Sequence, residues 1–333
     1  VLPAQIGGWQ RLEQVTRELF AIYGYEEMRV PVVEHTELFK RSIGEYTDIV
    51  EKEMYSFTDG GGEHLTLRPE ATAGMLRAVI SNHLLRGARL KLWSSGPMFR
   101  HERPQKGRYR QFHQIDIEVL GSDSPLADAE VIACGWNILQ ELGVAQDTVL
   151  ELNTLGDKPS RDAYRAALIA YFSDHKASLS EDSLARLERN PLRIVDSKDE
   201  RDRRIVAGAP TIHAHLTPEA AGFYAKLQDH LTRFAVPFRE NPRIVRGLDY
   251  YGHTAFEFVT NELGAQGTVM GGGRYDGLVQ EMGGPPTPCI GWAAGVERLA
   301  MLLPSVGGVA ASVAVIPIGP TAEAEAPKIL QAL

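Results

Sequence analysis

The segment over residues 91–121 constrains the fold more than any other part of this sequence. It contains two strand-like stretches, KLWSSGPMFRHE and FHQIDIEVLG, separated by the basic stretch RPQKGRYR. In the second stretch Ile115, Ile117 and Val119 alternate with polar residues, which is the two-residue period of a β-strand whose faces differ. We therefore predict an antiparallel hairpin with a long loop. The polar face of its second strand carries Gln114, Asp116 and Glu118.

Periodic segments also precede this hairpin. Apolar residues at three- and four-residue steps predict an amphipathic helix over 8–23, which Gly24 ends. The stretch MRVPVVEH predicts a strand, and Pro31 within it cannot donate a ladder hydrogen bond, which favours an edge or interface position. A charged hairpin region follows, and then a helix from Glu70.

The remainder of the chain predicts an α+β protein with an insertion. Charged helical stretches alternate with proline-containing breaks over residues 158–243, which indicates an inserted helical module. The module divides a sheet domain made of residues 1–157 and 244–303. Residues 304–333 predict a linker and then a strand, ASVAVIPIG, and a helix, EAEAPKILQAL, as the first unit of a further α/β domain.

Composition excludes several classes of protein. The net charge is -8, with 35 lysines and arginines against 43 acidic residues, so any nucleic-acid surface must be a local patch. Cys134 and Cys289 form no CxxC pair, which argues against a disulfide framework and a zinc knuckle and favours a reducing, cytoplasmic location. Apolar runs are too short for a membrane span, and the first residues do not form a signal peptide.

A dense group of cations lies around the predicted hairpin loop. Guanidinium groups bind phosphates through two parallel hydrogen bonds, so this density suits ATP or an RNA backbone, and Phe112 is placed to stack on adenine. A solvated charged hairpin is an equally good interpretation of the cations alone. The group consists of Arg100, Arg103, Lys106, Arg108 and Arg110.

Two further motifs carry residues of functional interest. RGLDYY begins at Arg246 and joins a cation to two tyrosines, although an edge-strand arginine would give the same pattern. In GGGRYDGL, from Gly271, the glycines allow a ligand to approach the backbone, but such a triplet is more often a bulge or hairpin end. His113 is predicted to pack on the apolar face of its strand, and His213 with His215 lacks a third metal ligand.

The order of the motifs is more specific than any one of them. TLRPE, FRHERPQKGRYRQFHQ, RGLDYY, GGGRYDGL and GVERL follow one another here, and this set resembles the histidyl-tRNA synthetase family from Gly8 to Leu303. VPVVE, FRHE and GVERL resemble class II motifs 1, 2 and 3. The resemblance implies an antiparallel sheet of six or more strands flanked by helices and a homodimer through motif 1. It also implies a two-step reaction of L-histidine, ATP with Mg²⁺ and tRNA(His).

The resemblance also assigns roles to individual residues. Arg246 and Arg100 would be catalytic, stabilising the charge at the α-phosphate as the histidine carboxylate attacks. The ATP-binding residues would be Arg100, Glu102, Arg108, Phe112 and Arg298. The histidine-binding residues would be Glu70, Thr72 and Gln114 at the α-ammonium, and Glu118, Tyr250, Tyr251 and Tyr275 around the imidazole. Arg103 and Gln105 would contact tRNA, and no metal site is expected from the protein alone.

Departures from the family pattern leave two alternatives open. Ala71 replaces a glycine, Gly252-His253 replaces Asn-Arg, and about thirty residues stand where the family has an anticodon-binding domain. One alternative is a histidine-binding paralogue such as a regulatory subunit of ATP phosphoribosyltransferase. The other is a catalytic fragment that forms the adenylate but charges tRNA poorly.

Overall fold

The computed structural model describes residues 1–44, 47, 49–85, 87, 89–245, 250–264, 267–304 and 314–332. The helices are α1 (Pro3–Tyr23), α2 (Thr36–Ile43), α3 (Thr72–Ser81), α4 (Pro125–Glu141), α5 (Lys158–Asp174), α6 (Glu181–Arg189), α7 (Glu200–Val206), α8 (Pro218–Arg233), α9 (Leu278–Glu281), α10 (Val296–Leu302) and α11 (Pro320–Ala332). The strands are β1 (Glu26–Glu27), β2 (Val33–His35), β3 (Tyr55–Thr58), β4 (His64–Leu67), β5 (Leu90–Phe99), β6 (Gln111–Leu120), β7 (Val149–Thr154), β8 (Phe238–Glu240), β9 (Gly252–Val259), β10 (Thr268–Arg274) and β11 (Cys289–Gly295).

Eight strands form the main sheet, in the order β1-β5-β6-β11-β10-β9-β7-β8. Among the described strands, the inner pairings are antiparallel, and only the short outermost strands β1 and β8 pair in parallel with their neighbours. The predicted α+β class and the antiparallel sheet of six or more strands are therefore confirmed. The predicted hairpin is the β5·β6 pair, which places β6 near the centre of the hydrogen-bonded order.

Strand β6 separates a hydrophobic core from a cleft, as its alternation predicts. Ile115, Ile117 and Val119 pack with apolar residues of α1, α4 and α8 in the largest core of the molecule. Cys134 of α4 is buried in this core too. On the opposite face, Leu120 packs with residues of α3 and α9 in a second core. The polar residues of β6 lie beside this second core.

A smaller sheet, in the order β2-β4-β3, lies apart from the main one. The predicted strand over 28–35 is shorter than expected, since only Val33–His35 pairs, and Pro31 precedes it without being part of it. Strand β2, which begins two residues after Pro31, is the first strand of this sheet and so lies at its edge. Pro31 has no N–H to donate, which explains why pairing starts after it.

The predicted helical module has a core of its own. Tyr164, Leu168, Phe172 and Leu187 pack there with Ile212, separately from the main sheet. The last part of the predicted module, α8 and β8, belongs to the main sheet and its core instead. Tyr224, Leu227 and Leu231 of α8 pack in the main core, and β8 extends the main sheet. The division at 158–243 stays a prediction.

The C-terminal residues depart from the prediction. Helix α11 forms as expected, but residues 314–319, the described part of the predicted strand ASVAVIPIG, are not in a strand. Extended residues become a strand only where a neighbour pairs with their backbone groups, and none does so within the described chain. Among the described residues, no helix is both long and apolar enough to cross a membrane.

Candidate active site

The floor of the cleft includes small residues on two neighbouring strands, β11 and β10, beside the polar residues of β6. The sheet register places Gly291, Ala293 and Gly295 of β11 beside Glu118, Asp116 and Gln114 of β6. On the next strand, β10, Gly271 and Gly273 continue the same rows. A Cβ on Gly291 would overlap the carboxylate of Glu118, so only glycine fits there. The absence of bulky side chains leaves room for a ligand to lie flat on the sheet.

Glu118 is a deeply buried acid of the cleft and is held by two other elements. Thr72 of α3 donates its hydroxyl hydrogen to Oε1 over 2.6 Å, and the hydroxyl of Tyr275 donates to Oε2. Only 2% of Glu118 is exposed, and this burial raises the pKa of its carboxyl to about 8 despite both hydrogen bonds. The site thus holds an acid whose charge depends on pH near neutrality and on what binds to it.

Glu70 lies at the start of α3, close to Glu118. Its Oε1 accepts the backbone N–H of Ala73 over 2.9 Å, in the first turn of the helix. Burial raises the pKa of Glu70, whereas the bond from Ala73 and the nearby charge of Arg100 lower it. Gln114 lines the same cleft, and its Oε1 is buried without a hydrogen-bond partner among the described residues. This end of the cleft is rich in acceptors and suits a cation.

A group of arginines forms the opposite end. The guanidinium of Arg100 lies 5.3 Å from the ring centroid of Phe112, and its Nε donates to the carbonyl oxygen of Pro69 over 2.9 Å. Arg298 of α10 donates from Nε to Gly107 O over 2.9 Å, which fixes α10 against the 100–110 loop. Burial lowers the pKa of Arg298, and the charges of Arg108 and Arg100 lower it further. Such mutual repulsion is relieved by an anion.

Glu102 and the tyrosines complete the lining. Glu102 forms an ion pair with Arg108 on the same loop. The ring centroids of Tyr250 and Tyr251 are 4.6 Å apart, and that of Tyr275 lies 5.4 Å from Tyr250. Burial raises the pKa of Tyr250 and of Tyr275 well above the ordinary value, so both hydroxyls stay protonated and can donate. The three rings form an aromatic wall beside Glu118.

The predicted site residues are thus largely brought together. One cleft is lined by Glu70, Thr72, Arg100, Glu102, Arg108, Phe112, Gln114, Glu118, Tyr250, Tyr251, Tyr275 and Arg298. Arg103 and Gln105 are exposed on the 100–110 loop and do not line it. Arg246, predicted to be catalytic, lies outside the described residues, as do the three residues after it.

Arg274 of GGGRYDGL does not face the cleft. It forms a buried ion pair with Asp128 of α4, and Asp276 pairs with the same guanidinium over 2.9 Å.

Two further acidic residues line the cleft, although the sequence assigned no role to either. These are Asp116 and Glu257. The alternation of β6 already placed Asp116 on the right face, whereas no local pattern distinguished Glu257.

His113 lies on the other side of β6, as predicted. Its ring stacks edge-on against Trp9 at 5.1 Å, and its Nδ1 lies 2.9 Å from Glu297 Oε1. The backbone N–H of His113 also donates to Glu297. These bonds join α10 to β6 one residue before Arg298.

Comparison with known proteins gives one consistent result. The family model described as histidyl-tRNA synthetase matches residues 1–299. The histidine–tRNA ligase of Gluconacetobacter diazotrophicus is 59% identical over 320 residues, which are 96% of this chain and 77% of that protein. The corresponding ligase of Rhodospirillum rubrum is 55% identical over 333 residues, 100% of this chain and 80% of that protein. The apo structure of S. aureus histidyl-tRNA synthetase superposes with a TM-score of 0.80 at 32% identity, covering 100% of this chain and 80% of that one.

Proposed function

This chain belongs to the histidyl-tRNA synthetase family, and we propose that its cleft is where histidine and ATP react. The reaction of a histidine–tRNA ligase joins histidine to its tRNA at the expense of ATP. One observation carries the assignment of the site. The acceptor-rich end around Glu118 and the arginines around Phe112 lie in a single cleft, so a cationic amino acid and an anionic nucleotide can meet there.

ATP is assigned to the arginine end. Since the guanidinium of Arg100 lies 5.3 Å from the ring centroid of Phe112, an adenine stacked on Phe112 and a phosphate bound by Arg100 would be neighbours. Arg298 would bind the outer phosphates, and Arg108 with Glu102 would border the base. ATP would enter as its magnesium complex, as the resemblance to the family implies. The ion would then be held chiefly by the phosphates.

Histidine is assigned to the end around Glu118. As a carboxylate, Glu118 accepts the imidazole N–H, while Thr72 and Tyr275 hold its two oxygens in place. A side chain without such a donor would leave the buried carboxylate unpaired, and discrimination of this kind reaches about 10⁴-fold. Tyr250 and Tyr251 would enclose the ring. Glu70, Thr72 and Gln114 would bind the α-ammonium group.

In the first step, an oxygen of the histidine carboxylate attacks the α-phosphorus of ATP. The bond from this phosphorus to the bridging oxygen breaks, and pyrophosphate leaves. Arg100 and Arg246 would stabilise the charge that develops on the α-phosphate, with each preorganised donor worth about 3 to 4 kcal/mol. The role of Arg246 rests on its position in RGLDYY alone.

The second step transfers histidine to tRNA(His). The exposed loop that carries Arg103 and Gln105 would approach the acceptor end of the tRNA, since it borders the cleft without filling it. We also propose a homodimer through the segment around Pro31 and β2. Its support is the position of β2 at the edge of the small sheet, with Val33 39% exposed. Sedimentation of the intact protein tests this.

Histidine-dependent exchange of pyrophosphate into ATP tests the proposed function. Wild-type protein should support exchange with histidine and not with other amino acids, and Arg246→Ala should lower the rate at least about 100-fold. Arg201→Ala is the matched control, because Arg201 is exposed on α7. No exchange by folded wild-type protein would contradict the proposal and favour a histidine-binding paralogue. Normal exchange by Arg246→Ala would refute the role of that residue.

A further inference from the structure

We propose that Asp116 is a specificity-determining residue of the histidine site, and that it binds the α-ammonium group together with Glu70 and Gln114. This role rests on the proposed function of the cleft and deepens it. Neither the motifs nor the resemblance assigned a function to Asp116. Its position between Gln114 and Glu118 makes it the middle one of three polar side chains on the cleft face of β6.

The first observation is an acceptor that lacks a donor. Asp116 is 1% exposed and lines the cleft, yet its Oδ2 has no hydrogen-bond partner within the described part of the chain. The same holds for Oε1 of Gln114. A buried polar atom without a partner is costly, and native proteins rarely leave one unmatched. Two such acceptors side by side at a cleft indicate a ligand that brings donors.

The second observation is that the neighbouring carboxylates are already engaged. Both oxygens of Glu118 accept hydrogen bonds, from Thr72 and Tyr275. Oε1 of Glu70 accepts the N–H of Ala73. A primary ammonium group has three diverging N–H donors and requires three acceptors. Asp116 adds a negatively charged acceptor with a free oxygen to the set of Glu70, Thr72 and Gln114, in which Glu70 is the other acid.

The spacing along β6 fits the length of the substrate. Residues on the same face of a strand that are two positions apart are separated by about 7 Å. With the imidazole at Glu118, the α-carbon of histidine therefore comes to lie over Asp116. The substrate carboxylate then points towards Arg100, where the α-phosphate is proposed to lie.

Arg68 provides the structural alternative that a test must exclude. Its guanidinium is buried near Asp116, where it donates from Nε to Pro97 O over 2.9 Å and from Nη1 to Val30 O over 2.8 Å. Its positive charge lowers the pKa of Asp116, although burial and the neighbouring acids raise that pKa overall. If Asp116 served only as a counter-charge to Arg68, its replacement would not distinguish ligands with and without an ammonium group.

Calorimetric binding of two histidine analogues makes this distinction. Histamine keeps the ammonium group and lacks the carboxylate, whereas 3-(imidazol-4-yl)propionate lacks the ammonium group. Asp116→Asn should raise the Kd of histamine about tenfold or more, because a charge-assisted bond is lost, and leave the Kd of the propionate unchanged. Asp123→Asn, an exposed acid just beyond β6, is the matched control. Equal losses for both analogues, or no loss for either, would overturn the proposal.

Two further measurements test the proposal if Asp116→Asn does not fold. Asp116→Ser is smaller than the native side chain and is measured in the same way. On unaltered protein, Nα-methylhistamine and Nα,Nα-dimethylhistamine keep the charge but lose one and two donors, so their Kd should rise stepwise. Equal binding of histamine and its dimethyl derivative would contradict a three-acceptor site. Wild-type exchange is measured in parallel, so that a failure of the proposed function is recognised separately.

Discussion

Replacement of Glu118 by glutamine should make the protein less sensitive to alkaline pH while removing its activity. The carboxyl is 2% exposed, and its pKa is raised from 4.5 to about 8 in the folded protein. The folded state therefore binds this proton more tightly than the unfolded state. Its contribution to stability is complete below pH 4.5 and is lost as the pH rises through 8. Glutamine cannot ionise, so Glu118→Gln should lack this loss.

The size of the effect follows from the shift. Each pKa unit corresponds to about 1.36 kcal/mol, which sets an upper limit of about 5 kcal/mol for the ionisation of Glu118. Penetration of water to the ionised carboxyl reduces this penalty. We therefore expect ionisation of Glu118 to lower the free energy of unfolding by about 2 to 5 kcal/mol. The charge of Glu118 also raises the pKa of Asp116, so Asp116 ionises more easily when Glu118 is replaced by glutamine. Both effects favour the variant at high pH.

Urea unfolding below pH 4.5 and above pH 8, without ligands, measures the difference between the two proteins. Tryptophan fluorescence reports on the main core, because Trp93 and Trp292 are buried in it. The free energy of unfolding of Glu118→Gln should rise relative to wild type between the two conditions. Glu13→Gln, on the exposed face of α1, is the control. Parallel pH dependences of wild type and Glu118→Gln would refute the reasoning.

Three further substitutions test other parts of the site. Arg298→Ala should raise the KM for ATP in pyrophosphate exchange about tenfold or more, since it removes the guanidinium proposed to bind the outer phosphates; an unchanged KM would refute this assignment. Arg274→Ala should lower the free energy of unfolding by about 3 to 5 kcal/mol, because it leaves Asp128 buried and unpaired, and urea unfolding that matches wild type would contradict this. Gly291→Ala should abolish histidine binding in calorimetry, because the added Cβ would overlap the Glu118 carboxylate. A normal affinity would contradict this, since it would mean that the strands move to accommodate the Cβ.

Sequence by itself determined the local features of this protein. The two-residue alternation of β6 predicted both its core face and its cleft face, since side chains point to opposite sides of any strand. The helix over 8–23 and the hairpin at 91–121 followed from equally local periods. The order of the motifs identified the family, because each motif fixes residue types over a few positions. The role of Arg246 stays a prediction.

Only the tertiary structure decided which distant residues meet. Thr72 and Tyr275 reach Glu118 from positions 46 and 157 residues away in the chain. Arg274, in the GGGRYDGL motif, pairs with Asp128, 146 residues away. The strand predicted over 311–319 has no partner where it is described, and α8 joins the main core. Periodicity fixes the direction of a side chain, but its partner depends on sheet register and helix packing, which no local pattern contains.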